Sequence, residues 1–190
     1  SANQKTTIAI ELIAMAVEAY LSQKANFFSD MFVEKGLELL TYALDGSPSL
    51  DITTPEEILF AQAGTMISLA TTSSSLGLSS LLSLTINSRY KMLKSLVSSI
   101  LLPYMIEDVV KYKSTKIAKL AKIMKCVQKN EAETLSEEEL CKAFIDSVRE
   151  RIAKANLPTR LKDLNLTIEQ LSLAVEDVKE IDFVNTLPRS

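Results

Sequence analysis

The chain has 190 residues, of which 47% are hydrophobic, and its formal net charge is −3 at pH 7. This length predicts one domain with its own core, and the slight acidic excess gives no reason to expect a nucleic-acid partner. Because the chain has only four Gly, five Pro and no Trp, its composition favours an all-α fold over one built from Gly-rich β-turns.

Cysteine usage and the first residues indicate the compartment. The chain has two cysteines, Cys126 and Cys141, and they form no CxxC motif. Two reduced thiols are typical of a cytoplasmic protein. Residues 1 to 5 are polar and do not begin a signal peptide, and residues 1 to 3 are typical of a remnant left by an expression vector. We therefore expect a cytoplasmic protein with a single helical domain over residues 1–190.

The first third of the chain predicts three helices. Residues 4 to 23 carry a broad apolar stripe. Ser29 is expected to cap a second helix, which ends near Gly46. The motif Thr54-Pro55-Glu56-Glu57 predicts the start of the third helix, with the threonine as N-cap and the proline in the first helical position. This third helix is expected to run to about Leu69.

The centre of the chain is a long stretch without charge. Residues 58 to 88 contain no charged side chain, which is long enough for a membrane span. The Ser/Thr run at 71–75 predicts a break, so we expect two shorter core helices and no membrane. Residues 75 to 104 then predict a buried helix, a cationic turn and a second buried helix that runs into Pro103. The cations of that turn are Arg89, Lys91 and Lys94.

The second half predicts further helices and no strand. Residues 114 to 129 carry apolar side chains at heptad-like spacing. The capping-box motifs Ser136-x-x-Glu139 and Thr167-x-x-Gln170 each open another helix. Leu157-Pro158 follows the first of these two helices and ends it. The total is about eight helices.

Several landmarks resemble the iron-containing alcohol dehydrogenase family. Residues 77 to 103 follow, without a gap, the family's run GLGLxHxxxHxLGxxxxxPHGxxxAxLLP. Further stretches resemble the family's DALxHAIEAY, ANPFTD, LPTRL and FVNNPR in the same order; they are residues 11–20, 25–30, 157–161 and 183–189. The resemblance implies an all-α, multi-helix bundle similar to the helical domain of the dehydroquinate synthase/iron-containing alcohol dehydrogenase fold.

The resemblance also implies a metal site that this sequence has lost. In the family an Asp and three His hold Fe²⁺ or Zn²⁺, which polarises the substrate oxygen. The matching positions here are Glu11, Met15, Ser80 and Lys94. Of these, Glu11 alone is an ordinary ligand for such a metal, and the chain contains no histidine. We therefore predict no metal, no cofactor and no catalytic residue in this chain.

Glu11 and Lys94 suggest what replaced the metal. If the resemblance holds, the two side chains meet, and we hypothesise that the Lys94 ammonium takes the place of the metal charge beside the carboxylate. The alternative is that the lysine extends into solvent. Ser80 and Ser83 could suggest a nucleophile, but without a histidine base they are better explained as packing hydroxyls bonded to the preceding helical turn.

A basic row and two arginines complete the candidate sites. Lysines recur at every third position, at Lys113, Lys116, Lys119, Lys122 and Lys125. Such a row could bind a polyanion. Positions three apart drift by about 60° per step around a helix, however, so solvated lysines that wind around it are the favoured interpretation. Arg160 and Arg189 are expected to tie loops to carbonyls or carboxylates.

Two functional hypotheses of different classes follow. In the first, the chain is a degenerate, metal-free domain of the family that acts as a structural or interaction module. Its partner is then a second copy or an N-terminal dinucleotide-binding domain, since the face that meets that domain should be apolar. In the alternative, the chain is the helical half of an NAD(P)-dependent oxidoreductase whose N-terminal half lies outside these residues, with Lys94 as electrophile.

Overall fold

The computed structural model describes residues 2–47, 51–181 and 187, and these residues form eight α-helices, one short 3₁₀ helix and no strand. The α-helices are α1 (Ala2–Leu21), α2 (Phe27–Asp45), α3 (Glu56–Ser73), α4 (Leu78–Tyr90), α5 (Lys94–Ile123), α6 (Lys129–Ala132), α7 (Glu137–Lys154) and α8 (Ile168–Lys179). The 3₁₀ helix spans Leu161–Leu164. The prediction of an all-α fold is confirmed.

Helix α1 lies at the centre of the bundle. It contacts α2, α3, α4, α5 and α7, and its apolar side chains are buried on nearly every side from Ala9 to Leu21. A helix that is apolar almost all round must be enclosed by others, which explains why the other long helices pack around it. This central position brings residues of α1 against both α4 and α5, where the candidate site lies.

Two of the predicted helix starts are wrong: α2 has a better cap nearby, and α3 begins one residue later than predicted. Asn26, and not Ser29, caps α2: its side chain accepts the backbone N–H groups of Phe28 and Ser29, both at 3.1 Å. Ser29 completes the capping box by accepting the Asn26 N–H at 2.9 Å. Helix α3 begins at Glu56, with Pro55 in the cap position and no side-chain cap bond.

The predicted end of α2 and the predicted starts of α7 and α8 are confirmed, whereas the end of α3 differs from the prediction. Gly46 ends α2 with a φ of +68°, which a residue without a side chain adopts without strain. The capping boxes of α7 and α8, at Ser136 and Thr167, are both formed. Helix α3 continues beyond Leu69 to Ser73. There the Thr and Ser hydroxyls bond to carbonyls of the preceding turn, and the helix ends inside the Ser/Thr run, so the predicted break is confirmed.

Helix α5 joins two segments that the sequence separated. The predicted end at Pro103 is wrong, because the helix continues through this buried proline, which lacks only the N–H that would bond the carbonyl four residues earlier. A kink at Lys113, where φ is −132° and ψ is 34°, marks the predicted boundary between the two segments. Packing against α1 and α7 holds the two segments together.

The lysine row of α5 and the turn that follows it is partly solvated and partly engaged by neighbouring helices: Lys119, Lys122 and Lys125 remain exposed, as predicted, whereas Lys113 and Lys116 are half-buried. Four of its lysines contact α1 or α2: Lys113 bonds the Leu21 carbonyl, Lys116 the Tyr20 carbonyl and Asp30, Lys119 bonds Glu34, and Lys125 lies over the Tyr42 ring. The spacing of the lysines predicted that they wind around the helix, but it did not predict which helix lies beside them. Helix α2 lies beside the row, and its acidic side chains meet successive lysines. The first two lysines also bond carbonyls at the C-terminus of α1, where a cation is favourable.

Helix α8 closes the other side of α4. A second apolar cluster, separate from the main core, contains Ile86, Val97, Ile100, Leu164 and Ala174. An ion pair between Arg89 and Asp177 and a hydrogen bond of 3.0 Å from the Tyr90 hydroxyl to the Gln170 carbonyl join α4 to α8. Helix α4 is thus fixed between α1 and α8.

No single helix in the described part of the chain is long and apolar enough to span a membrane. Helices α3 and α4 reach the required length and hydropathy only as a pair, and the two are bent by 102° at the break between them.

Candidate functional site

The four positions matched to the family's metal ligands converge on one cavity. The cavity has a volume of about 80 Å³ and lies between α1, α4 and α5. Its lining consists of Glu11, Met15, Leu76, Ser80, Ser83, Leu84, Lys94 and Ser98. The structure therefore brings all four predicted positions together, although they come from three helices.

Glu11 and Lys94 form an ion pair at this cavity. The Lys94 ammonium lies 3.1 Å from a Glu11 carboxylate oxygen, as the hypothesis required. The Lys94 side chain is 41% exposed and the Glu11 side chain is 27% exposed, so the pair lies at the mouth of the cavity and not deep in the core. Solvent screens a pair at this depth, and its contribution to stability is correspondingly small.

Ser80, which the sequence resemblance matches to a metal-ligating histidine, belongs to a helix cap. Its backbone N–H donates to both carboxylate oxygens of Glu18, at 3.1 and 3.2 Å, and the Gly77 N–H donates to the same carboxylate at 3.1 Å. These N–H groups are among those that a helix leaves without a partner at its start. Glu18 thus caps the N-terminus of α4 from the neighbouring helix α1.

Sequence reasoning missed this role of Glu18. Its side chain is only 2% exposed, and this burial raises the pKa of its carboxyl despite the hydrogen bonds from Ser80 and Gly77, which act in the opposite direction. A signal was present, because Glu18 is one of two carboxylates in the broadly apolar helix α1, the other being Glu11. Such a residue needs partners when it is buried, and the sequence alone did not show which ones.

Gly77 is required by this cap for steric reasons. A Cβ at this position would lie 2.7 Å from the Glu18 Cγ, closer than side chains can approach, whereas the backbone φ of −113° is open to any residue. Gly64 provides a contrast, because its Cβ would meet nothing closer than Leu12 at 4.0 Å.

We expect the substitution Gly77→Ala to lower the free energy of unfolding by about 1–3 kcal/mol, because the added methyl displaces the buried carboxylate. The matched control Gly64→Ala should leave it unchanged or raise it by up to about 1 kcal/mol, because alanine favours the helix. Urea unfolding of the two variants checks this result. Equal stability of both variants would show that the close approach at Gly77 is not required.

The serines of the cavity fit a packing role. The Ser83 hydroxyl donates to the Ser79 carbonyl at 2.7 Å and lies 3.1 Å from the Ser98 hydroxyl. A serine that bonds to the preceding turn of its own helix is engaged with the backbone. The interpretation of Ser83 as a packing hydroxyl is consistent with these contacts, whereas the Ser80 hydroxyl bonds the Glu18 carboxylate of the neighbouring helix. Arg160 pairs with Asp163, which is consistent with its expected role of tying a loop. Arg189 lies outside the described residues.

The donor set of the cavity does not fit Fe²⁺ or Zn²⁺. It combines one carboxylate with a thioether, three serine hydroxyls and an ammonium, and an ammonium has no lone pair to offer a metal. Within residues 2–47 and 51–181, no three His, Cys, Asp or Glu side chains lie close enough to hold a metal ion. A zinc site uses at least three such ligands.

The bundle and its cavity define a helical domain of the alcohol dehydrogenase type. A family model described as the Fe-containing alcohol dehydrogenase family, C-terminal, matches residues 6–190. The chain belongs to this family, as a form of its C-terminal domain. The resemblance recognised from the sequence landmarks is thereby confirmed.

Solved structures of the family share this fold. The chain is 18% identical to an alcohol dehydrogenase from Oenococcus oeni, with a TM-score of 0.83 over 100% of this chain and 49% of the other. A 1,3-propanediol oxidoreductase gives 19% identity and a TM-score of 0.81, over 97% and 47% of the two chains. A sulfoacetaldehyde reductase from Bifidobacterium kashiwanohense, in complex with NAD⁺, is 15% identical, with a TM-score of 0.66 over 99% of this chain and 46% of the other.

The chain therefore spans about half the length of the solved structures that it matches. Identities below 20% establish the shared fold and leave substrates and activities open. No curated protein sequence matches the chain at a significant level.

Proposed function

We propose that this chain is a metal-free form of the family's C-terminal domain, and that it acts as a structural or interaction module without catalysis of its own. The observation that carries the proposal is the ion pair between Lys94 and Glu11 at the cavity of the four matched positions. A fixed ammonium beside the carboxylate supplies the positive charge that a metal would otherwise bring. The helices then dock without an ion.

The composition of the chain supports the proposal. Without histidine, the chain lacks the nitrogen ligand that suits both iron and zinc. A shift of the alignment by a few residues does not change this conclusion, because it applies to all 190 positions. We further propose that residues 1–190 form one domain and that the protein is cytoplasmic.

A second candidate function comes from the coverage of the solved structures. Because the chain matches only 46–49% of their lengths, it could be the helical half of an NAD(P)-dependent oxidoreductase, with an N-terminal dinucleotide-binding domain as its partner. The Glu11 contact makes Lys94 a poor electrophile for a substrate, because its ammonium is already engaged. The genomic sequence upstream discriminates between the two candidates: a Gly-rich βαβ segment there would favour the oxidoreductase.

A double-mutant cycle tests the ion pair on which the proposal rests. We expect Lys94→Met and Glu11→Gln each to lower the free energy of unfolding slightly, with a coupling energy of about 0.5–1 kcal/mol, because the pair is partly solvated. The coupling should shrink in 1 M NaCl, where salt screens charges beyond about 3 Å. A coupling of zero at low salt would show that the ammonium does not stabilise the docked helices, and the proposal would lose its main support.

A further inference from the structure

We draw no further inference here: the strongest candidate, the open groove between α2 and α5 lined by Phe27, Met31 and Lys122, carries no proposal because each acidic side chain along it is already paired with a lysine and nothing in the structure shows what covers it.

Discussion

The triple variant Met15→His, Ser80→His and Lys94→His is expected to bind about one equivalent of Zn²⁺, because it adds three imidazoles to the Glu11 carboxylate around one cavity. The helices already place all four positions on this cavity of about 80 Å³, so the fold need not rearrange to bring the ligands together. Removal of Lys94 also frees Glu11 from its ammonium partner. Calorimetric titration with Zn²⁺ and the metal content after dialysis both measure the result.

The control for the triple variant keeps the ammonium in place. The double variant Met15→His and Ser80→His retains Lys94, and its positive charge should repel the ion and weaken binding by at least about 1.4 kcal/mol, or tenfold. If the triple variant binds no more Zn²⁺ than the unaltered chain, the four positions do not form the remains of a metal site. The correspondence to the family's ligands would then be wrong.

The second large effect concerns Glu18. We expect Glu18→Ala to lower the free energy of unfolding by about 3 kcal/mol, because it removes charge-assisted hydrogen bonds and leaves the N–H groups of Gly77 and Ser80 buried without acceptors. Glu18→Gln should cost less, since it keeps the size of the side chain and one acceptor oxygen. Urea unfolding measures both variants. A loss below about 0.5 kcal/mol for the alanine variant would contradict the cap, because that is the scatter of surface substitutions.

Glu18 should also make stability depend on pH. Burial raises the pKa of its carboxyl in the folded chain above the ordinary value of 4.5, so the folded state holds the proton more tightly than the unfolded state does. The stabilisation from this group is therefore complete below pH 4.5 and is lost as the pH rises through the raised folded pKa. Relative to Glu18→Gln, the unaltered chain should lose stability over this range. A difference between the two proteins that stays constant with pH would contradict the raised pKa.

The sequence predicted elements better than their ends. The periodic apolar pattern of α1 and the capping boxes of α7 and α8 led to correct helices, because these signals are local. Asn26 was overlooked as a cap because Ser29, three residues later, is also a good capping residue. The predicted end at Pro103 failed because tertiary packing against α1 and α7 holds α5 together through the proline and the kink at Lys113.

Part of the candidate site could be predicted from the sequence, and the part that could not depends on which helices lie side by side. The family landmarks located Glu11 and Lys94, and their contact followed from the resemblance. The Glu18 cap and the lysine contacts along α2 depend on which helix lies next to which, and nothing local in the sequence encodes that neighbour. The spacing of the lysines on α5 described their winding correctly, but only the position of α2 explains why they are partnered.

The central claim is that the ammonium of Lys94 has replaced a metal ion in this domain. Plasma mass spectrometry tests it most directly, on protein purified without chelator and again after incubation with Fe²⁺ and Zn²⁺. We expect less than about a tenth of an equivalent of either metal in both samples, because one carboxylate cannot form a site of three or four ligands. A stoichiometric metal that survives dialysis would contradict the claim, and the function of the cavity would have to be sought in oxygen ligands near Glu11.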